Sequence, residues 1–408
     1  MNSDLVKQSQ LTASAPTDTV LQSSALGFLQ GLYPPVGTQL GSNTLRNGTV
    51  VQSPLNGYQI IPLQTVETGA NSENAAWLQG STNCANAQIS SNNYFTSPQY
   101  LTTLNQTQSL YNTIYPYVNK TFSQSATSFK NAYTIWDLLN VASIHNASAS
   151  IPDAETMTQL RYLADQHEYG LAYNSSEPIR AVTGSIIAAE VLEALNTTIG
   201  GKGKSKLNIQ FGAYAGMFSF FGLANLTEVN PDFYGVPDYT SSLVWELVTN
   251  ATVNSTSFPS NDEIFVRFLF HNGTTSNISE PVEYPLFNTN QSPLSWSDFS
   301  SHMSNISIPD QQSWCTACGN STGVCSSAYL NGDSSNGGSS SSSSTNSSGS
   351  KSGGISKAVA GVIGAMVTLA VILAVEGAIL LVGGFRLVSK KRLASARAPS
   401  SEGSPMKA

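Results

Sequence analysis

Regularly spaced apolar residues predict four long helices in the first half of the chain. In Pro98–Val118, Phe129–Val141 and Ala154–Tyr173 the apolar side chains recur with the period of about 3.6 residues that is typical of a helix. A fourth segment, Pro178–Leu195, is so rich in alanine, isoleucine, valine and leucine that we expect it to be almost wholly buried. No internal repeat is evident.

Short apolar runs before and after these helices predict strands. They are Tyr58–Pro62, Leu207–Tyr214 and Glu263–His271, of which the last reads EIFVRFLFH and is rich in β-branched and aromatic residues. Because long helices separate the strands, the order of elements predicts an α/β fold.

The longest apolar segment is Ala358–Phe385, whose 28 residues include a single ionisable side chain, Glu376. About 20 apolar residues span a bilayer, so this segment predicts a transmembrane helix. The residues that follow it are rich in lysine and arginine. By the positive-inside rule, residues 386–408 form a basic cytoplasmic tail and the N-terminal part lies on the other side of the membrane.

Residues 329–357 are rich in glycine and serine and predict a flexible stalk. Charged residues make up only 11% of the chain, against roughly a quarter in a typical soluble domain. We expect N-linked glycans to solubilise the part before the stalk, because Asn-x-Ser/Thr sequons are frequent there. The predicted sites are Asn47, Asn105, Asn119, Asn146, Asn174, Asn196, Asn225, Asn250, Asn254, Asn272, Asn277, Asn290, Asn305 and Asn320, and one further sequon, Asn346, lies in the stalk.

The charge of the N-terminal part argues against nucleic-acid binding. Of the 18 basic and 25 acidic residues, eight basic and two acidic ones lie between Lys351 and the C-terminus. The acidic excess of residues 1–350 is therefore larger than the net charge of −7 suggests, and it is not typical of a nucleic-acid partner. Aromatic residues are frequent enough for a folded core.

The first residues, MNSDLVKQSQLTASAPTD, contain no apolar export signal, although a domain outside the cytoplasm needs one. We therefore expect the native N-terminus to lie further upstream. With that signal, the chain is expected to be a single-pass type I membrane protein whose N-terminal domain lies in the extracellular space or the vacuolar lumen.

The four cysteines, Cys84, Cys315, Cys318 and Cys325, are an even number that suits two disulfides in an oxidising compartment. Zinc binding by the CxxC pair is the alternative, but no second CxxC or HxxxH pair accompanies it. None of the four histidines has the spacing of a metal site, and we expect no metal or other cofactor.

Few residues are candidates for catalysis. His167, in the sequence DQHEYG, could act as a general base, although a structural role is more usual for a histidine on a helix face. The lysine-rich residues 201–206 are better explained as a solvated loop than as a phosphate site. The arginines before the stalk, Arg46, Arg161, Arg180 and Arg267, are scattered and do not suggest a phosphate clamp.

Several segments, in their order and spacing, resemble the histidine acid phosphatases of the phosphoglycerate mutase-like superfamily, in a fungal, membrane-anchored form. VLQSSALGFLQGLYPP resembles the family's helix that ends in a double-proline turn, and GYQIIPLQTVETG precedes a cysteine as in the prostatic-type members. LNIQFGAYAGMFSFFGLANL resembles the strand, turn and helix that carry the second catalytic motif. IPDQQSWCTAC resembles the C-terminal cysteine region, and the resemblance covers most of residues 10–320.

This resemblance implies a phosphoglycerate mutase-like α/β sandwich with an all-α cap in residues 1–328, incomplete at the N-terminus. It also implies phosphomonoester hydrolysis through a phosphohistidine. The family's Arg-His-Gly-x-Arg motif is absent from this chain, and so is the arginine expected just before VLQSSA. In the second motif, Tyr214 and Ala215 occupy the positions of the family's histidine and aspartate, so no catalytic residue is retained. Asp232 and Asp238 are the nearest candidates for a substitute acid.

Two functions follow from these expectations. In the first, the chain belongs to the acid phosphatases and hydrolyses phosphomonoesters weakly, or only in its complete form. In the second, it is a pseudoenzyme that serves as a binding or structural glycoprotein. In the pseudoenzyme, the cleft that corresponds to the family's active site would bind a phosphomonoester or another small ligand. The membrane is the one partner that the sequence predicts. By the same resemblance, Cys84 is expected to pair with Cys315 or Cys318, and the second disulfide closes a loop within the C-terminal cysteines.

Overall fold

The computed structural model describes residues 4–66, 83–254, 257–273 and 280–327. Strands and helices are interspersed along these ranges. The strands are β1 (Leu11–Pro16), β2 (Ser42–Thr44), β3 (Val50–Gln52), β4 (Leu63–Val66), β5 (Leu207–Gln210), β6 (Ser242–Val248), β7 (Phe265–His271), β8 (Val282–Tyr284) and β9 (Leu294–Ser295). The helices are α1 (Thr19–Leu32), α2 (Gly37–Gly41), α3 (Pro54–Gly57), α4 (Ala85–Tyr94), α5 (Pro98–Gln106), α6 (Gln108–Val118), α7 (Ala132–His145), α8 (Ala154–Ala172), α9 (Val182–Gly200), α10 (Tyr214–Leu223), α11 (Trp296–Ile306) and α12 (Gln311–Cys318).

A parallel sheet carries the first part of the fold. Its strand order is β4-β1-β5, and Ala13 in the central strand aligns with Leu63 on one side and Ile209 on the other. Because the three strands are parallel, their carboxyl ends lie at one edge of the sheet. Helices α1 and α10 each begin within a few residues of that edge.

A separate antiparallel sheet has the order β6-β7-β8, with β9 also paired to β7. Strand β7 alternates between buried and half-buried residues, so Val266, Phe268 and Phe270 face the core. Phe220 and Phe221 of α10 contact this face. The aromatic-rich helix is therefore buried between the sheet and its neighbouring helices.

Helices α5 to α8 enclose a second core. Its fully or nearly buried side chains come from all four helices and include Tyr100, Ile114, Ile135 and Leu160. This helical part, inserted in the chain between β4 and β5, agrees with the expected all-α region. The mixed α/β class predicted from the sequence is confirmed.

Several predicted boundaries were wrong. The predicted strand at Tyr58–Pro62 lies instead at β4, because Pro62 has no N–H to give to a neighbouring strand. The strand predicted to reach Tyr214 ends at Gln210, and Tyr214 opens a helix. A continuous apolar run does not distinguish a buried strand from a buried helix.

The helix predictions were more accurate. The segment Pro98–Val118 is two helices separated at Thr107, whose hydroxyl donates to the carbonyl oxygen of Thr103 at 2.8 Å. The predicted Phe129–Val141 starts with a 3-10 turn and continues to His145. The segment Pro178–Leu195, predicted to be almost wholly buried, starts with a 3-10 turn and continues as α9, which is buried only in its first half.

The predicted stalk, transmembrane helix and cytoplasmic tail lie outside the described residues, as do Asn277 and Asn346. Within the described ranges, no helix combines the length and the apolar character needed to cross a bilayer.

Candidate functional site

The carboxyl edge of the parallel sheet is where an open α/β fold usually binds its ligand. Helix α1 begins there, and the Asp18 carboxylate accepts hydrogen bonds from the backbone N–H groups of Val20 and Leu21 at 2.9 and 3.0 Å. These N–H groups are the ones that a helix N-terminus offers to an anion. At α1 they are already bound to a carboxylate of the chain.

Helix α10 also begins at this edge, and Tyr214 is its first residue. The Tyr214 hydroxyl donates a hydrogen bond of 2.7 Å to Oε2 of Glu168, on α8. Burial, and next the nearby Glu168 carboxylate, raise the pKa of the Tyr214 hydroxyl far above its ordinary value. Tyr214 is therefore a fixed donor to Glu168 at neutral pH and a poor proton donor to a leaving group.

The other oxygen of the same carboxylate contacts His167. Oε1 of Glu168 lies 2.8 Å from Nδ1 of His167, whose side chain is only 7% exposed. The second ring nitrogen, Nε2, is buried and has no hydrogen-bond partner within the described part of the chain. The rings of Tyr94, Phe95, Tyr100 and Phe129 surround the imidazole at centroid distances of 5.3 to 6.4 Å. His167 is thus enclosed by the protein, which supports the structural role over the general base.

Further phenols extend this cluster. Tyr133 packs against Tyr214 with ring centroids 4.8 Å apart, and the Tyr239 hydroxyl donates to Asp137 at 2.9 Å. Burial raises the pKa of Tyr133, and burial together with Asp137 raises that of Tyr239. We call Glu168, Tyr214, Tyr133, Tyr239 and Asp137 the tyrosine cluster. Its ionisable side chains are acidic or phenolic, so it offers no cation to a phosphate.

Three of the four arginines before the stalk have structural partners. Arg161 bridges Asp165 and Asp238 and donates to the carbonyl oxygen of Val236, and its guanidinium lies 4.5 Å from the centre of the Trp136 ring.

Arg180 is buried and donates to Ser90 and to the carbonyl oxygen of Gly170. Arg267 pairs with Glu246 across two strands at 2.6 Å. The fourth, Arg46, is exposed between β2 and β3. Within the described ranges, none of the four forms a hydrogen bond with Tyr214.

The structure also places Asp232 and Asp238, the two candidates for a substitute acid. Asp238 is held by Arg161 at 2.9 Å, and Asp232 is exposed. The carboxylate that reaches Tyr214 is that of Glu168, 46 residues away in the sequence. In the sequence, Glu168 is the residue after His167 in DQHEYG, and no local pattern shows that α10 packs against it.

The remaining histidines and lysines lie elsewhere. His145 is exposed at the end of α7, His271 ends β7, and the ring of His302 stacks on Phe287 at 4.9 Å. Lys202 and Lys204 are exposed in the loop before β5, as predicted. Among the described residues, no three His, Cys, Asp or Glu side chains are grouped as a metal site would require.

The cysteines form two disulfides, Cys84–Cys318 and Cys315–Cys325. The first is one of the two pairings that sequence analysis left open for Cys84. Both lie in a small buried cluster with Trp314 and Val182. Cys84–Cys318 joins the end of α12 to the start of α4, and Cys315–Cys325 joins α12 to the 3-10 turn that follows it.

Comparison with known proteins decides the family. Residues 14–271, more than half of the chain, match the histidine phosphatase superfamily (branch 2). This chain belongs to that superfamily. The resemblance drawn from the sequence is therefore confirmed at the level of the superfamily, while the fungal and membrane-anchored details stay predictions.

Closer relationships are weak. No curated protein matches the chain significantly. Among solved structures, the phytase from Citrobacter braakii is similar over 78% of this chain and 82% of its own, with 15% sequence identity and a TM-score of 0.49. So distant a likeness transfers neither the substrate nor the site of that enzyme to this member of the histidine phosphatase superfamily.

Proposed function

We propose that this histidine phosphatase superfamily member does not transfer phosphoryl groups and acts by binding, as a glycosylated, membrane-anchored protein outside the cytoplasm. The observation that carries the proposal is the hydrogen bond between Tyr214 and Glu168, at the position where the resemblance puts the family's catalytic histidine. The following residue, Ala215, has no proton to give.

The charge around the sheet edge supports the same conclusion. A transferring phosphoryl group carries negative charge that needs positioned donors and cations. Here Asp18 occupies the N–H groups at the start of α1, and Glu168 stands beside the start of α10. Arg161, the arginine nearest in the chain to Glu168, is bound to two carboxylates. A phosphate, which is itself negatively charged, would be repelled by these carboxylates.

Weak phosphomonoester hydrolysis is the second candidate function. It is favoured by membership of the superfamily and by the Glu168 carboxylate, which is the acidic group that contacts Tyr214. Against it, none of the four histidines of the chain is followed by glycine, so the motif that supplies the family's nucleophile is not in these 408 residues.

An assay of phosphomonoester hydrolysis tests the proposal. The purified 408-residue chain is incubated with p-nitrophenyl phosphate from pH 4 to 8, and Glu168→Gln serves as the matched variant. We expect no hydrolysis above the protein-free rate for either protein. Hydrolysis by the wild-type chain that Glu168→Gln reduces at least tenfold would replace the proposal with the second candidate.

A further inference from the structure

An exposed corner of the fold is built from α2, the hairpin of β2 and β3, and α3. The Ser53 N–H donates to the carbonyl oxygen of Gly41 at 2.7 Å, and the Val36 N–H donates to that of Gly57 at 3.2 Å. A Cβ added to Gly41 would lie 3.1 Å from the Cα of Gly57, so the two glycines are in close contact. These contacts fix the three elements to one another. We call residues 36–57 the hairpin corner.

The hairpin corner presents an apolar side chain to solvent. Leu55 is 76% exposed. Leu55 and Asn56 both have a left-handed backbone, with φ of 52° and 57°. This conformation is unfavourable for a leucine, whose Cβ comes close to the following carbonyl oxygen, whereas asparagine tolerates it. Neither burial within the described part of the chain nor backbone preference therefore explains a leucine at this position.

A groove of about 360 Å³ opens on the same corner. Leu40 and Val51 supply its apolar wall, and both are exposed. Its other lining residues are uncharged: Gly41, Ser42, Asn43, Gln52 and Ser53. The groove has room for a leucine side chain. Because one rigid corner carries both the projecting Leu55 and the groove, its surface is complementary to itself, as the interface of a two-fold symmetric dimer must be.

The distribution of charge favours a second copy of the chain as the occupant of the groove. Arg46 is the only charged residue of the hairpin corner, and within the described ranges it forms no ion pair. Residues 67–350, in contrast, contain 21 acidic and eight basic residues. Two copies that met through the acidic part would repel each other. A contact through the hairpin corner brings no carboxylates together, and the acidic charge of each copy attracts Arg46 of the other.

We propose that two copies of this chain associate through the hairpin corner, with Leu55 of each copy in the groove between Leu40 and Val51 of the other. The predicted glycan site Asn47 lies in the turn between β2 and β3, and Leu55 lies beyond the other end of β3. A glycan at Asn47 is therefore attached away from Leu55. The proposal does not depend on the absence of phosphoryl transfer.

The variant Leu55→Asn separates association from folding. Asparagine tolerates the left-handed conformation, so the variant should unfold at the temperature of the wild type or above it when both proteins are dilute. It nevertheless removes the apolar side chain from the interface. Ile144→Asn is the matched control, because Ile144 on α7 is 59% exposed and lies outside the hairpin corner. Val51→Gln changes the wall of the groove and is a second, independent variant.

Sedimentation velocity of the purified 408-residue chain in a mild nonionic detergent, from about 1 to 100 μM, measures association. We expect a monomer–dimer equilibrium whose dissociation constant rises at least about tenfold in Leu55→Asn and in Val51→Gln and less than about twofold in Ile144→Asn. A wild-type chain that stays monomeric would overturn the proposal. A dimer that Leu55→Asn and Val51→Gln leave unchanged, or one that all three variants weaken equally, would overturn it as well.

Discussion

Tyr214 and Glu168 lie on two helices that are far apart in the sequence, and a hydrogen bond of 2.7 Å joins their side chains. The same carboxylate contacts His167, so one acidic residue links the start of α10 to the buried imidazole of α8. In the resemblance to the family, this is where a histidine and an aspartate would face a phosphate. In this chain, the residue that the resemblance aligns with that histidine is hydrogen-bonded to Glu168 of the same protein.

Removal of the Tyr214 hydroxyl should destabilise the fold. We expect Tyr214→Phe to lower the free energy of unfolding by about 1–3 kcal/mol, because the half-buried Glu168 carboxylate loses a donor. Denaturation in guanidinium chloride measures the change. Tyr239→Phe is the control, since it removes a similar phenol–carboxylate bond at the surface and should cost less than about 1 kcal/mol. Equal losses of unfolding free energy in the two variants would show that the Tyr214–Glu168 hydrogen bond stabilises the fold no more than the exposed Tyr239–Asp137 one.

The buried tyrosines predict a loss of stability in alkali. Burial raises the pKa of Tyr94, Tyr111, Tyr133, Tyr169 and Tyr214 above the ordinary value of 10.0. The stability that these phenols contribute is fully present below pH 10 and is lost as the pH rises further, because only the unfolded chain ionises there.

Unfolding measured at intervals from pH 7 to 11.5 checks this prediction. The free energy of unfolding should fall steeply above about pH 10, and the absorbance of tyrosinate should rise together with unfolding. The fall should be less steep in Tyr214→Phe. Ionisation of all tyrosines near pH 10 in a chain that stays folded would contradict the burial of these hydroxyls.

Arg161 should matter more for stability than Arg267. Arg161→Met leaves Asp165 and Asp238 without their cation and removes the contact with Trp136, so we expect a loss of about 2–4 kcal/mol. Burial, partly offset by hydrogen bonds to Val236 and Arg161, already raises the pKa of Asp165. Arg267→Met removes exposed ion pairs and should cost less than about 1 kcal/mol. Thermal unfolding of both variants compares the two losses of stability. A larger loss in Arg267→Met than in Arg161→Met would contradict this prediction.

The two disulfides should stabilise the fold unequally. Cys84–Cys318 joins residues 234 positions apart and Cys315–Cys325 joins residues 10 apart. In the chain-entropy account, loss of the first costs about 5 kcal/mol and loss of the second about 3 kcal/mol. Unfolding of Cys84→Ser/Cys318→Ser and Cys315→Ser/Cys325→Ser gives the comparison. A larger loss in the second variant would show that local packing around Trp314 outweighs loop length.

Local sequence patterns were sufficient for part of the fold. The helix Ala154–Tyr173 was predicted to within one residue, because Asp153 caps its start and its apolar residues follow a helical period. The β-branched and aromatic residues of Glu263–His271 likewise predicted β7, which starts two residues later than predicted, at Phe265. The end of β5 was missed, since the apolar residues Phe211 and Ala213 lead from the end of the strand into α10.

The candidate site depended on contacts that no local pattern records. Tyr214 was found only through the resemblance to the family, and its partner Glu168 follows from the packing of α10 on α8. The enclosure of His167 depends on the aromatic residues Tyr94, Phe95, Tyr100 and Phe129, which lie 38 to 73 residues before it in the chain. Sequence spacing alone could not have shown that these side chains meet.

The most direct test of the central claim is a binding titration with orthovanadate, which mimics a phosphoryl group in transfer. Calorimetry is carried out on the wild-type chain and on Tyr214→Phe at pH 5.5. If the Tyr214–Glu168 contact and the surrounding carboxylates replace the phosphate site, neither protein will show saturable binding up to 1 mM vanadate. Saturable binding by the wild type that weakens in Tyr214→Phe would contradict the account, because it would show a working phosphate site with Tyr214 as one of its ligands.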